Sequence, residues 1–391
     1  MLGARGQAGD STTAGSAPQT RDALQPIRPT AATDARACSL AARRRPTSTD
    51  NDSEFQKCVT IRSRCPGFHP QPATRDVLIA ILGALFPRQR GGFPMSHKDI
   101  DGRALASEIL NDVGERVAGL KAAGWFPKLV SLSVGDNPAA AFYVRNQRRR
   151  CEQAGIEFEE RQYRDDISPQ ELYAAIWALN ADPRVTGIIL QRPVPNSLSI
   201  KRLQAAIDPL KDVEGMHPTS IGNIVYRELD LAPCTAMASV ELLRRTGVKL
   251  EGMEATIIGH SEIVGKPIAF LLMAEGATVT VCHHMTRDVG MHSRRADAVF
   301  VAVGKPDLLN GDMIKPGATV IDIGINQVID ADGKERVVGD CNYASCVETA
   351  GWITPVPGGV GPVTVSILMR NAAVATQRLK DHYESQLHQR L

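Results

Sequence analysis

At 391 residues the chain is long enough for two domains with proper cores, at roughly 100–200 residues each. Its net charge of +2 implies no domain-wide basic field, which argues against a nucleic-acid partner. The eight cysteines are scattered with no Cys-x-x-Cys pair, so a reduced, cytoplasmic protein without a disulfide frame or a metal site is expected.

Residues 1–94 are rich in Ala, Thr, Ser, Pro and Arg, with a single lysine, Lys57. Hydrophobic periodicity is lacking there except over 77–86, a run about half as long as a membrane span. No membrane partner is therefore expected. Arg- and Ser-rich segments can target organelles, but Asp10, Asp22, Asp34, Asp50, Asp52 and Glu54 fit that poorly. The segment reads as a disordered or non-native N-terminal extension, such as upstream sequence translated from a start codon placed too early.

Met95 opens the first well-patterned segment. Asp101-Gly102 leads into a helix with Leu105, Ile109, Leu110, Val113, Val117 and Leu120 on one face. A strand over 128–134 ends at Gly135-Asp136-Asn137-Pro138, and a helix follows over 139–153. Strand 157–161, helix 169–179, strand 187–190 and helix 200–207 continue the alternation. A second unit begins near Pro233, with helix 238–245, strand 255–258, helix 266–275 and strands 278–282, 298–302 and 319–323. Such alternation implies an α/β protein with mainly parallel sheets covered on both faces.

Ile353 to Thr364 carries three prolines and three glycines, so neither a helix nor a sheet ladder is expected to run through it. It reads as a rigid loop that turns a corner or brings bare backbone against a flat ligand. An apolar helical run after it (Val365, Leu368, Met369, Ala372, Val374) anchors one end.

Gly259-His260-Ser261-Glu262-Ile263-Val264-Gly265 joins a β-branched strand to a helix, which sets backbone N–H groups and the positive helix end where a phosphate can bind. The Gly-x-Ser-x-Gly elbow of hydrolases is a poor alternative, because Ile263 stands where its last glycine belongs. The next strand ends at Cys282-His283-His284 with no acid to bind a ribose 2′-hydroxyl. His283, His284 or Arg287 can serve a 2′-phosphate instead, which favours NADP and leaves NAD open. In the first unit, Tyr143 and Gln147 share a helix face. Gln191 ends a buried strand, and Glu214 follows Asp212 in a loop.

These segments together resemble the bifunctional methylenetetrahydrofolate dehydrogenase/methenyltetrahydrofolate cyclohydrolase family from Met95 to about Gln386. The matching runs are 134–139 with Tyr143-Val144, 191–195, 211–215, 233–235, 261–267, 302–306, 324–326 and the Pro-Val-Pro-Gly-Gly-Val-Gly-Pro loop. The resemblance implies an N-terminal three-layer α/β/α catalytic domain (95–232) and a C-terminal Rossmann-like dinucleotide-binding domain (233–386) whose last helix returns to the first. A folate cleft would lie between them, usually in a homodimer that serves one-carbon metabolism and purine biosynthesis.

The resemblance also implies that Tyr143 packs on the folate, that Gln191 orients the catalytic group at position 147, and that Glu214 holds the pterin. Pro357, Gly358, Gly359, Val360, Gly361, Pro362 and Thr364 would line the folate site. Gly259, His260, Ser261, Val264, Gly265, His284 and Ile325 would bind NADP. Three positions depart from the family pattern: Gln147 replaces a lysine, Glu214 replaces an aspartate, and His260 replaces a frequent arginine. A lysine of lowered pKa suits the hydrolysis of a methenyl cation, and glutamine does not, so a dehydrogenase with doubtful cyclohydrolase activity is expected. A non-catalytic folate- or nucleotide-binding paralogue is the alternative.

Overall fold

Asp101 starts the first helix because its carboxylate accepts from the N–H groups of Arg103 and Ala104, two donors that a helix start leaves open. That helix, α1 (Gly102–Ala122), turns Leu105, Ile109, Val113, Val117 and Leu120 into the core. The computed structural model describes residues 98–329 and 333–390, so the reading of 1–94 as an extension lies outside the described residues.

After α1 come β1 (Lys128–Val134), α2 (Pro138–Ala154), β2 (Glu157–Tyr163), α3 (Pro169–Ala181), β3 (Gly187–Leu190), α4 (Ile200–Gln204) and α5 (Pro218–Val225). β1 lies between β2 and β3, parallel to both. The chain continues through α6 (Cys234–Arg245), β4 (Glu254–Ile258), α7 (Gly265–Ala274), β5 (Thr278–Cys282), α8 (Val289–Ser293), β6 (Ala298–Val301) and β7 (Thr319–Asp322). A hairpin of β8 (Asn326–Ile329) and β9 (Glu335–Val338), then α9 (Tyr343–Thr349), β10 (Trp352–Ile353) and α10 (Val360–Arg390) complete it.

The second sheet is parallel throughout, in the order β10-β7-β6-β4-β5. Strand order therefore reverses at β4, the place where α/β sheets open a crevice at the carboxyl ends of their strands. α10 packs along α1 and α6. Ser366 Oγ donates to Ala106 O (2.9 Å), and Asn371 Nδ2 donates to Val213 O (2.9 Å) and Ala232 O (3.2 Å). Among the described residues, no helix is long and apolar enough to cross a membrane.

The expectation that neither helix nor ladder enters Ile353–Thr364 fails at both ends. Ile353 pairs with Val320 of β7 and bridges to Asp99, while α10 already begins at Val360. Pro362 is tolerated because the first N–H groups of a helix lack partners in any case. The irregular stretch is confined to Thr354–Gly359. Two helix ends also move: α6 begins at Cys234 rather than 238, and α4 stops at Gln204 rather than 207, before Asp208-Pro209 turns the chain.

Lys211 is 2% exposed, and its ammonium donates to Leu179 O (2.8 Å), Asn180 O (2.7 Å) and Asp182 O (2.7 Å). These carbonyls belong to the end of α3, where a cation opposes the helix dipole. Burial pulls its pKa down, against the pull of Asp208 and Asp182. Lys211→Met keeps the stem and removes the three donors. It is expected to lower the unfolding free energy by about 2–4 kcal/mol. The check is a lower denaturant midpoint at unchanged m value.

Candidate functional site

Glu214 is held by its sequence neighbours. Lys211 ties the segment to α3, and Asp212 accepts from His217 N (2.7 Å) and Ser220 Oγ (2.7 Å). Glu214 then faces a cavity of about 340 Å³. Tyr143 and Gln147 of α2 form one wall, with Arg192, Met216 and the Pro233–Thr235 start of α6 beside them. Pro355–Pro362, Thr364, Val365 and Leu368 form another, and Asp322, Ile323, Gly324 and Ile325 after β7 close the far side.

Burial raises the Glu214 pKa to about 7; the Arg192 charge and the Leu190 N–H oppose this, and the Asp212 charge adds to it. Burial also raises the Tyr143 phenol. Gln191 does not line the cavity. It stands behind Gln147, its Nε2 donating to Gln147 Oε1 (2.7 Å) and to Ser131 Oγ of β1 (3.0 Å). With its carbonyl engaged in this way, Gln147 offers the cavity its amide NH₂ end. Arg148 points elsewhere, to Glu160 Oε2 (3.1 Å) and over the Phe158 ring.

Of the remaining residues singled out from the sequence, Pro357, Gly358, Gly359, Val360, Gly361, Pro362, Thr364 and Ile325 line this cavity. Gly259, His260, Ser261, Val264, Gly265 and His284 do not. The first five belong to the turn after β4 whose Ile263 reaches the cavity wall, and His284 follows β5. The turn closes tightly on its two end glycines, where no Cβ fits. A Cβ on Gly259 would lie 2.2 Å from Ala302 O, and one on Gly265, the first residue of α7, 1.9 Å from Gly259 O. Ser261 Oγ accepts from Val264 N (3.2 Å) and shapes the turn. Helix α7 thus presents its N-terminal N–H groups at the strand edge, as a phosphate site requires.

Sequence reasoning missed two acids. Asp322, at the end of β7, accepts from the N–H groups of Gly324 (3.0 Å), Asp340 (2.9 Å) and Cys341 (2.8 Å). Burial lifts its pKa to about 6 against those donors. Asp340, fully buried, accepts from the N–H groups of Val303, Gly304 and Lys305 and from Asn326 Nδ2 (2.8 Å). It braces the loop after β6 against β8. Asp322 ends its strand much as Gln191 follows its own, and that position is the signal that could have found it.

Two parts of the chain match known families. Residues 100–214 match the family described as "Tetrahydrofolate dehydrogenase/cyclohydrolase, catalytic domain", and residues 233–380 match its "NAD(P)-binding domain". Over 292 residues the chain is 62% identical to "Bifunctional protein FolD 2" of Mesorhizobium japonicum, covering 75% of this chain and 95% of that protein. Among solved structures, the bifunctional FolD enzyme of Campylobacter jejuni superimposes with a TM-score of 0.68 at 38% identity, covering 71% of this chain and 98% of that one. The Trypanosoma brucei methylenetetrahydrofolate dehydrogenase-cyclohydrolase, solved with NADP cofactor and inhibitor, gives 0.67 at 36%, covering 72% and 97%.

Proposed function

Because the chain belongs to the tetrahydrofolate dehydrogenase/cyclohydrolase family, we propose that it oxidises 5,10-methylenetetrahydrofolate to the 5,10-methenyl form with NADP. We propose further that it hydrolyses the methenyl product to 10-formyltetrahydrofolate only weakly. One observation carries the reading: Tyr143, Gln147, Glu214, the Pro355–Pro362 segment and Ile263 of the glycine turn all border a single cavity. A flat pterin fits between Tyr143 and that segment, its one-carbon bridge towards the turn. Glu214 accepts from the pterin amino and ring N–H groups, while the Gly259–Gly265 turn with Ser261 carries the dinucleotide phosphates.

Bound NADP supplies the hydride acceptor. The chain's own part in the first reaction is alignment, which needs no acid or base from position 147. Hydrolysis is different, since water must be activated and protons moved. Glutamine exchanges no proton near neutral pH. The other groups in the wall do not replace it. The Asp322 oxygens are taken by three backbone N–H groups, burial pushes the Cys234 thiol far up, and Glu214 is committed to the pterin.

The raised Glu214 pKa gives a pH test. Its folded value of about 7 lies above the ordinary 4.5, so folding favours the protonated acid. The stability it contributes is full below pH 4.5 and is lost as pH rises to about 7. Folate binding needs the carboxylate and runs the other way, so the KM for methylenetetrahydrofolate is expected to rise as pH falls below about 7. Glu214→Gln should flatten both profiles, read by denaturant unfolding and by initial rates. A pH-independent KM in the parent protein contradicts this role.

NADP reduction by the purified chain with methylenetetrahydrofolate, beside an NAD control, tests the dehydrogenase reading. A cytoplasmic homodimer is the assembly we propose with it, on the family resemblance, and sedimentation reads its mass.

A further inference from the structure

Three imidazoles gather where β4 and β5 end. The His260 and His283 ring centroids are 4.9 Å apart, His283 and His284 6.0 Å, and His260 and His284 6.3 Å. In a dinucleotide fold, the end of the second strand is where the group at the adenosine 2′ position is read. Among the described residues, no three or more His, Cys, Asp or Glu side chains are grouped to hold a metal ion. We propose that this cluster makes the discrimination between NADP and NAD proton-linked: the 2′-phosphate docks on imidazolium groups that take up their protons as it binds. The inference rests on the NADP reading above and goes beyond it.

The geometry assigns different parts to the rings. His283 Nδ1 accepts from Met285 N (3.2 Å), and Thr286 Oγ1 accepts from His283 N (2.9 Å). The His283 ring therefore carries its proton on Nε2 and can donate to phosphate while neutral. Charging it as well would cost the Met285 bond. His260 is half-buried, and burial, then the charges of His283, Lys266 and His284, make its protonation harder than usual. An incoming phosphate dianion reverses that balance, because it favours a cation on His260, and the exposed His284 stands beside it.

The acids on the same two turns are already engaged. Glu262 pairs with Lys201 (2.9 Å), and Asp288 caps α8 through Met291 N (3.0 Å) and faces Arg294 (3.8 Å). Cys282 is a buried thiol pushed upward by that burial. Lys266 on α7 also acts on His260, while Arg287 follows β5 and Lys305 follows β6. Histidine is the side chain that ordinarily changes charge between about pH 5 and 8, whereas the second ionisation of a phosphate monoester lies near about 6. A window from about pH 6.5 to about pH 8.5 therefore isolates the protein's contribution.

The test measures Kd for NADP and for NAD on the full chain across that window at constant ionic strength. Calorimetry in two buffers of different ionisation enthalpy counts the protons taken up. The NADP Kd should weaken by about ten- to a hundredfold as pH rises, while the NAD Kd moves by less than about twofold. Net proton uptake should accompany NADP alone. His260→Arg should bind NADP with a much flatter pH profile. Parallel profiles for the two cofactors with no proton uptake, NADP still binding more tightly, would overturn the linkage and leave NADP dependence standing. Equal affinity for both cofactors at every pH would remove both.

Discussion

Gln147→Lys is expected to raise methenyltetrahydrofolate hydrolysis by about 10²–10⁴-fold, the range typical of supplying a general acid/base, while the dehydrogenase rate moves by only a few-fold. The environment is suited to such a group. Position 147 is 9% exposed at the cavity edge, and Gln191 Nε2 and Ser131 Oγ stand behind it. A lysine there would be desolvated, which lowers its pKa towards neutrality and lets it pass a proton. Its ammonium could donate to Gln191 once that amide turned its carbonyl forward, whereas Gln147 accepts from Gln191 instead. Separate assays of the two steps, on parent and variant, check this. No gain in hydrolysis in a variant whose dehydrogenase activity is intact would place the limit elsewhere, with the extra methylene of Glu214 the next position to change.

Two single methyl groups should disable the cofactor turn and the cavity's glycine-proline wall separately. A Cβ at Gly265 would sit 1.9 Å from Gly259 O, and one at Gly102 would sit 2.0 Å from Gly359 O. Both contacts are with backbone oxygen, so no side chain can swing aside. Ordinary overpacking costs about 1–3 kcal/mol. Here the turn or the loop itself must move, and a misplacement of about 1 Å can cost about 10²-fold. Gly265→Ala is expected to weaken NADP binding by at least about 100-fold and to leave folate binding within a few-fold. Gly102→Ala should do the reverse, because α1 there supports the Thr354–Gly359 stretch and not the cofactor turn. Binding measured separately for each ligand, on variants shown by circular dichroism to be folded, decides it. Loss of both ligands in either variant would mean that the two halves are not independent.

The parts of the fold legible in the sequence are those with a long or repeated signal. The face of α1 repeats at three and four over 21 residues, and the β-branched runs of β4 to β7 recur between helices. Helices α5, α8 and α9 are eight, five and seven residues long, too short to show a period. The start of α10 was hidden for another reason: Gly361 and Pro362 argue against helix in its interior but not in its first turn.

The site divides in the same way. Tyr143 with Gln147 is a four-residue spacing on one helix, and Pro357–Thr364 is a compositional signal, so both could be picked out locally. Asp322 and Asp340 act through backbone N–H groups brought together from residues 303–305, 324 and 340–341. No local pattern announces such a brace. Gln191 shows the converse: its place at a strand end was plain, but its position behind Gln147 depends on the parallel pairing of β1 with β3.

The measurement closest to the central claim is a product time course. The purified chain is incubated with methylenetetrahydrofolate and NADP, and NADPH, methenyl- and 10-formyltetrahydrofolate are each quantified against an enzyme-free blank. NADPH and the methenyl compound should rise together, with 10-formyltetrahydrofolate little above the blank. Formation of 10-formyltetrahydrofolate in step with NADPH would contradict the part assigned to Gln147. No NADPH from a folded chain that binds both ligands would contradict the dehydrogenase itself.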